Sequence, residues 1–344
     1  MEISLDYLSN LSKYARLPNF IPRLMPIDQF KVSVIAPMFN EEMLIGTFIE
    51  KISTVMEQHF TQYELILIDD GSTDATEAMC LPYIKTNKSI RLISFSRNYG
   101  HEIASTAGFD SATGDYVILM DADLQHPPEL IPALVEKALE GYDVVLAARR
   151  NRHHETWFRK TMARLFYKVA KKMTNFNISA DTGNFRLLSK KVVKALRKMR
   201  ENDRHLIMMF AYVGYKSATV PYDCLPRIAG QSKYGFLKRI NLAVDSIVSF
   251  SSRPLRIMSC ISLFISGLMM CYAGFILMEK LFSHQQLADG VASVIFLIAG
   301  LFSVLFLFLA IISEYISRIL VESKNRPLYN VKEEITYESI HSAD

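Results

Sequence analysis

Residues 116–129 read YVILMDADLQHPPE. Tyr116–Met120 is a short apolar run with β-branched residues, the pattern of a strand buried on both faces. The run ends on two carboxylates, Asp121 and Asp123, one small residue apart, and then on Pro127 and Pro128, which suit the first turn of a helix. A strand that delivers charge at its end and then turns into a helix is half of a β–α unit. The rest of residues 31–150 repeats the theme. Val32–Ala36, Tyr63–Ile68, Ile90–Phe95 and Asp143–Ala147 read as further strands. Helical patterns fill the intervals: Glu41–Gln58 with Ile45, Phe48, Ile49, Ile52 and Val55 on one face, then Asp74–Lys85, His101–Ala112 and Pro128–Glu140. Apolar strands alternating with helices predict an α/β fold with a mostly parallel sheet covered on both faces. Ligands in such sheets bind beyond the carboxyl ends of the strands, where every polar cluster below falls.

Composition narrows the class. The chain has 344 residues, half of them hydrophobic, and a net charge of +4, too modest for nucleic acid to be the main partner. Its four cysteines, Cys80, Cys224, Cys260 and Cys271, form no CxxC pair, so neither a disulfide framework nor a zinc site is expected. Residues 1–29 carry early charges and no long apolar core, and so do not read as a secretory signal; a surface extension and an interfacial helix both remain open. Residues 151–235 are mixed and basic, with an amphipathic pattern over Arg159–Met173 and another over Phe236–Ser252.

The mean hydropathy of +0.14 comes mostly from two runs near the end. Ile257–Met278 and Val291–Ser313 carry no charge, and each is long enough to cross a hydrocarbon core of about 30 Å. Lys238, Arg239, Arg253 and Arg256 precede the first; Arg318, Lys324 and Arg326 follow the second. The short linker Glu279–Gly290 holds a single lysine. By the positive-inside rule both outer flanks are cytoplasmic and the runs form a hairpin. Glu314, four residues before Arg318, suits a helix ion pair. Ser262, Ser266 and Gly267 would permit close packing of helices, and so a homo-oligomer.

Two carboxylates as close as Asp121 and Asp123 repel unless a cation lies between them. Mg²⁺ takes one or two protein carboxylates and completes its shell with phosphates and water, which suits a metal–diphosphate. Pro37-Met38-Phe39-Asn40-Glu41 closes the first strand and Asp69-Asp70-Gly71-Ser72-Thr73-Asp74 the second. The latter reads as a turn with Ser72 or Thr73 as a helix cap, and capping leaves the two adjacent carboxylates unexplained. His126 suits a helix cap or a third metal ligand. His153 and His154 lie in the basic loop Arg149–His154, a candidate lid.

The trio P-x-[YF]-N-E, D-D-G-S and D-x-D, in this order, resembles the family-two glycosyltransferases with the GT-A fold. Ser96-Arg97-Asn98-Tyr99-Gly100, Asp121–Pro128, Asp181-Thr182-Gly183-Asn184-Phe185-Arg186-Leu187 and Gly230-Gln231-Ser232-Lys233-Tyr234 narrow the resemblance to polyprenyl-phosphate glycosyltransferases. Bacterial bactoprenol glucosyltransferases are nearest, and dolichyl-phosphate mannose synthases more distant. The resemblance runs from about residue 31 to about residue 330. It implies an N-terminal extension (1–30), a cytoplasmic GT-A domain (31–235), a juxtamembrane amphipathic helix (236–256), two transmembrane helices (257–278 and 291–313) and a cytoplasmic tail (314–344).

What the resemblance implies for the site is specific. Pro37, Phe39, Glu41, Asp70, Asp121, Ala122, Asp123 and Gln125 would line the nucleotide and metal site, with Mg²⁺ or Mn²⁺ on Asp121 and Asp123. Arg149 would approach the diphosphate or the sugar. Arg227, Ser232 and Lys233 would receive the acceptor phosphate, and a lipid phosphate does need cations near the membrane surface. Asp123, Asp181, Arg227 and Lys233 would carry catalysis, although Asp181 also suits a structural turn. The implied reaction moves a hexose, with UDP-glucose the leading donor, to undecaprenyl phosphate at the cytoplasmic membrane. The product would serve lipopolysaccharide or cell-envelope glycan modification. GDP-mannose, UDP-N-acetylglucosamine and an aminopentose donor remain open, as does a catalytically dead membrane scaffold. A processive polysaccharide synthase is disfavoured, because the sole tryptophan, Trp157, lies in no Q-x-x-R-W motif. Two positions depart from the pattern. His101 stands where relatives often have Lys, and Asn184 where they often have a second Asp.

Overall fold

The computed structural model describes residues 30–149, 182–222 and 290–342, with scattered helical positions between 255 and 272. The expected helices 159–173 and 236–252, most of the span 257–278 and the loop after Arg149 lie outside the described residues. Two compact units emerge. One is an α/β unit containing 30–149, 182–222 and 327–342; the other is helical and contains 290–326.

The α/β unit begins as the alternation predicts: β1 (Val32–Met38), α1 (Ile45–His59), β2 (Tyr63–Asp69), α2 (Thr76–Thr86), β3 (Ile90–Phe95), α3 (His101–Ser111) and β4 (Tyr116–Leu119). A 3₁₀ turn at Pro128–Leu130 leads into α4 (Ile131–Leu139), and β5 (Val144–Arg149) follows. Beyond 182 come β6 (Thr182–Ser189), α5 (Lys190–Leu196), α6 (Leu206–Val213) and β7 (Ser217–Tyr222).

Eight strands make one sheet in the order β7-β5-β6-β4-β1-β2-β3-β8, where β8 is Val331–Ile335. The pairs β1–β2, β1–β4, β2–β3 and β5–β7 are parallel; β6 and β8 run against their neighbours. Side chains alternate faces along each strand. Val34, Ala36, Leu65 and Leu67 share one core with Phe48, Ile52, Ile84 and Leu134 from α1, α2 and α4. The alternate residues face α3, and Gly108 is the reason α3 can come so near: a Cβ there would stand 2.1 Å from Ile35 Cγ2.

The tail expected at 314–344 is not an appendage throughout. Residues 331–335 form β8, antiparallel to β3, and α8 (Tyr337–His341) follows. The segment VKEEI has no apolar periodicity; it becomes a strand because its backbone completes an edge that β3 leaves open. Its charges are matched as well. Glu334 pairs with Arg91 at 3.1 Å and Lys332 with Glu77 at 3.3 Å. Just before it, Tyr329 stacks on Phe95 with ring centroids 5.0 Å apart and donates a hydrogen bond to Asp110 at 3.0 Å. Burial and the Asp110 charge push the Tyr329 hydroxyl up to about 12.

In the helical unit, the run expected at 291–313 continues without a break to residue 323. The helix α7 (Val291–Ser323) is 33 residues long, about 50 Å. Its stretch Gly300–Ser323 is long and apolar enough to cross a membrane. Glu314 accepts from Arg318 Nη2 at 2.8 Å, the ion pair expected of i and i+4 neighbours.

Candidate active site

In the strand order, β1 lies between β4 and β2: the chain runs outward from β1 through β2 to β3 and then crosses back to β4 on the other side of β1. The crevice beyond the carboxyl ends of β1 and β4 is therefore the place where such a sheet opens to a ligand. Pro37 sits inside β1, next to its end, and Phe39 and Glu41 follow, both half-buried. Asp121 and Asp123 follow β4.

The loops after β1 and β2 hold each other. Asn40, at a φ of +55° that asparagine tolerates, accepts from Thr73 N at 2.9 Å and donates its own N–H to Ser72 at 2.9 Å. Glu41 N donates to Thr76 Oγ1 at 2.8 Å. Much of the polarity in these two motifs is thus spent on joining them. Ser72 does not cap the following helix, as its position suggested. It donates to Asp69, and α2 begins only at Thr76, whose N–H donates to Asp74 at 3.0 Å.

Asp69 and Asp70 are both buried. Asp70 grips the loop after β3: its carboxylate accepts from Tyr99 N at 2.7 Å and from Gly100 N at 2.9 Å. Burial raises the Asp70 carboxyl above the usual range, with those two N–H groups opposing. Burial likewise raises Asp69, against the pull of Ser72. Gly71 lets the two loops touch. It has φ +68°, and a Cβ there would stand 2.4 Å from the Arg97 carbonyl carbon. The sequence marked Asp70 as a ligand group; its backbone grip on 99–100 was not legible there.

At the end of β4, Met120 N still bonds Ile35 O at 3.0 Å, and Met120 and Ala122 are buried in the core. Asp121 and Asp123, on either side of Ala122, are each half-buried. The small residue between them is small because it packs inside. Asp123 accepts from Gln125 N at 3.1 Å, in a turn that Leu124 makes with φ +57°. Asp121 Oδ1 is shielded from solvent and has no hydrogen bond among the described residues. Its near polar neighbour is His101 Nε2, at 3.5 Å. A shielded carboxylate oxygen with no donor suits a cation as its partner, so the donor set of Asp121 and Asp123 fits a hard divalent ion. Among the described residues no cluster of three or more His, Cys, Asp or Glu is assembled as ligands. Two carboxylates plus substrate phosphates do not need one.

His126 is not the cap residue of the helical turns that follow it, which begin after Pro127 and Leu130. It is 1% exposed and stacks on Phe185, with centroids 5.0 Å apart. Gln125 is buried beside it in sequence. Arg149 ends β5, level with Tyr222 of β7. Asp181, Arg227, Ser232 and Lys233 lie outside the described residues.

A model of glycosyl transferase family 2 matches residues 33–197, which hold β1 to β4 and both acidic motifs. The chain is 40% identical over 303 residues to an uncharacterized glycosyltransferase of Synechocystis, sll0501, with 88% of this chain and 95% of that one covered. It is 39% identical over 301 residues to the uncharacterized glycosyltransferase YkcC of Bacillus subtilis, with 87% and 93% covered. It is 36% identical over 304 residues to the bactoprenol glucosyl transferase of Shigella phage SfV, with 88% and 99% covered. The fold is GT-A-like, and the chain belongs to glycosyltransferase family 2.

Proposed function

We propose that this protein transfers a hexose from a nucleotide diphosphate sugar, UDP-glucose foremost, to undecaprenyl phosphate, with inversion at the anomeric carbon. The observation that carries the reading is the unpartnered Asp121 oxygen, with Asp123 two residues on, at the mouth of the β1–β4 crevice. Similarity across almost the whole length of a bactoprenol glucosyl transferase supports the lipid acceptor.

Asp121 and Asp123 would hold Mg²⁺ or Mn²⁺, which when bound offsets charge on the departing diphosphate. Pro37, Phe39, Glu41 and Gln125 line the nucleotide side, where Ala122, its methyl packed in the core, contributes backbone only. Asp70 shapes that side through the loop it grips, and Arg149 faces the diphosphate or sugar. Arg227, Ser232 and Lys233 receive the acceptor phosphate. One phosphate oxygen forms the new bond to the anomeric carbon, and the bond to the nucleotide β-phosphate oxygen breaks with its electron pair. The acceptor oxygen is already anionic near neutral pH, so no proton must be removed. Positioning and charge stabilisation then supply the rate. Asn184, where a carboxylate base would stand, agrees with that. Asp181 orients the sugar or acceptor.

The apolar helix within 300–323 and the basic flanks support a protein of the cytoplasmic membrane, with two spans (257–278 and 291–313), its α/β unit and both termini on the cytoplasmic side, and homo-oligomers formed through the spans. The test is transfer from a panel of radiolabelled nucleotide sugars to undecaprenyl phosphate in detergent, with and without EDTA. Labelled lipid from UDP-glucose alone, lost with EDTA, is expected. Product from GDP-mannose, UDP-N-acetylglucosamine or an aminopentose donor replaces the donor; no product from any of them, with folded protein, overturns the reading in favour of an inert scaffold.

A further inference from the structure

The tail that forms β8 also reaches the loop after β3. In the sheet β3 lies between β2 and β8, and β8 runs against it. The loop 96–100 is therefore flanked by the end of β2 on one side and by the residues entering β8 on the other. From the β2 side, Asp70 accepts from Tyr99 N and Gly100 N. From the β8 side, Asn330 takes hold at two points. Its carbonyl accepts from Ser96 N at 3.1 Å, and its Nδ2 donates to the Tyr99 hydroxyl at 3.0 Å. That hydroxyl also lies 3.3 Å from Ser96 Oγ. The Tyr99 ring meets Phe95 edge-on, with centroids 5.6 Å apart, and the Arg97 guanidinium lies 3.8 Å from its centroid. Tyr329, stacked on Phe95 and bonded to Asp110, fixes the chain just before Asn330. Asp110 is itself held by Arg200 Nη1, at 2.9 and 2.8 Å from its two oxygens.

We propose that Asn330 is a positioning residue for the nucleotide side of the site: from the tail it sets the loop 96–100, whose N–H groups hold Asp70. The inference rests on the proposed role of Asp70 beside the nucleotide. Tyr99 is the joint. Its hydroxyl belongs to Asn330, 231 positions away, and its backbone N–H to Asp70. Asp70 is buried, so losing those donors would be costly, and the acid and the loop move together. Gly71 admits no slack, since its backbone already touches that of Arg97 and Asn98. Asn330 itself is exposed, and one hydrogen bond there changes overall stability little. Its effect falls on the loop. A loop that is loose must be ordered when a ligand binds, at the expense of affinity; a loop already held need not be. None of these contacts involves Asp121 or Asp123, so the effect belongs to nucleotide affinity and not to the bond-breaking step.

The test uses the full-length protein in detergent with Mn²⁺ and measures binding of UDP and of GDP by calorimetry, alongside thermal melting and steady-state transfer. For the nucleotide that the unaltered protein binds, N330A and Y99F are each expected to weaken binding by about three- to tenfold, the worth of one such hydrogen bond, with melting temperature nearly unchanged. The double variant Y99F/N330A should bind no worse than Y99F, because both substitutions remove the same bond. In turnover, KM for the nucleotide sugar should rise by the same factor while kcat is kept. K332A, which frees the tail from Glu77 without touching the loop, should leave nucleotide affinity as it was. Unchanged affinity in N330A, effects that multiply in the double variant, or a loss in K332A as large as in N330A would overturn the proposal. If the unaltered protein binds neither nucleotide, the donor-site reading fails and this inference with it; if it binds one and the variants bind it equally, only the positioning role fails. Should Y99F fail to fold, N330A, at an exposed residue, answers the question alone.

Discussion

Glu64, near the amino end of the parallel strands, and Asp121, beyond their carboxyl end, are both sheltered acids, and the fold treats the two in opposite ways. At the amino end Glu64 of β2 sits across from Ser33 of β1, whose hydroxyl donates to it at 2.5 Å. Thr113 donates its N–H at 2.7 Å and its hydroxyl at 2.8 Å, and Lys31 and Arg91 approach at 3.3 and 3.4 Å. Burial alone would raise the Glu64 carboxyl, but these donors and the Lys31 charge outweigh it and leave it below the usual range. At the carboxyl end Asp121 Oδ1 has no donor among the described residues. A satisfied acid stabilises the unit that contains it. An unsatisfied one is a cost that only a ligand removes. At that same carboxyl end Asp69 and Asp70 are satisfied by Ser72, Tyr99 and Gly100, so the contrast lies between two individual acids.

Three substitutions sharpen that contrast, taken in decreasing order of effect. Asp121→Asn should lower transfer by roughly a thousandfold, the loss of several kcal/mol of charge stabilisation. Its melting temperature should stay level or rise, since a shielded charge has gone. A large drop in melting temperature would make Asp121 structural. Glu64→Gln should do the reverse, costing about 1–3 kcal/mol in denaturant unfolding because donors lose their anionic partner, with transfer per folded molecule kept. Lys31→Ala, at a lysine 35% exposed, should cost less than about 1 kcal/mol. If Lys31→Ala matched Glu64→Gln, the ion pair rather than the neutral donors would be what holds Glu64.

The pH dependence of stability follows from the same two ends. A depressed carboxyl such as Glu64 contributes stability that is full above its unfolded pKa and fades as pH falls through the lower folded one. Asp69 and Asp70, both raised, contribute in the other sense: they favour folding in acid and lose that contribution as pH rises through their raised values. Acid titration of the melting temperature in Glu64→Gln should therefore show a flatter fall on the acid side than the unaltered protein. An unchanged slope would remove Glu64 from the account.

Where the chain buries apolar strands between helices, the sequence was legible. Ile90–Phe95 has the expected bounds, and β1, β2 and β4 lie within one or two residues of theirs. The acidic motifs were legible for the same reason, since each closes such a strand. What escaped was structure made by pairing instead of pattern. In β8, Val331 to Glu334 are exposed, so no periodicity announces a strand that exists by bonding β3. The antiparallel β6 hides inside a motif that reads as chemistry. The His101–Asn184 contact needs the β4–β6 register, which no local signal contains. His126 looked like a cap because two prolines follow it; its burial against Phe185 depends on the same distant strand.

The late arrival of β8 sets a timetable for synthesis. Its Glu334 meets Arg91, made 243 residues earlier. At about 5–20 residues per second, β3 waits on the order of tens of seconds for its partner. Throughout that interval the edge strand IRLISF offers unpaired backbone to any other strand it meets. The apolar stretch of α7 also leaves the ribosome before that edge is closed. A chain ending at residue 326 would never close it, and should be recovered from cells as aggregate in proportion to how long it stays unpaired.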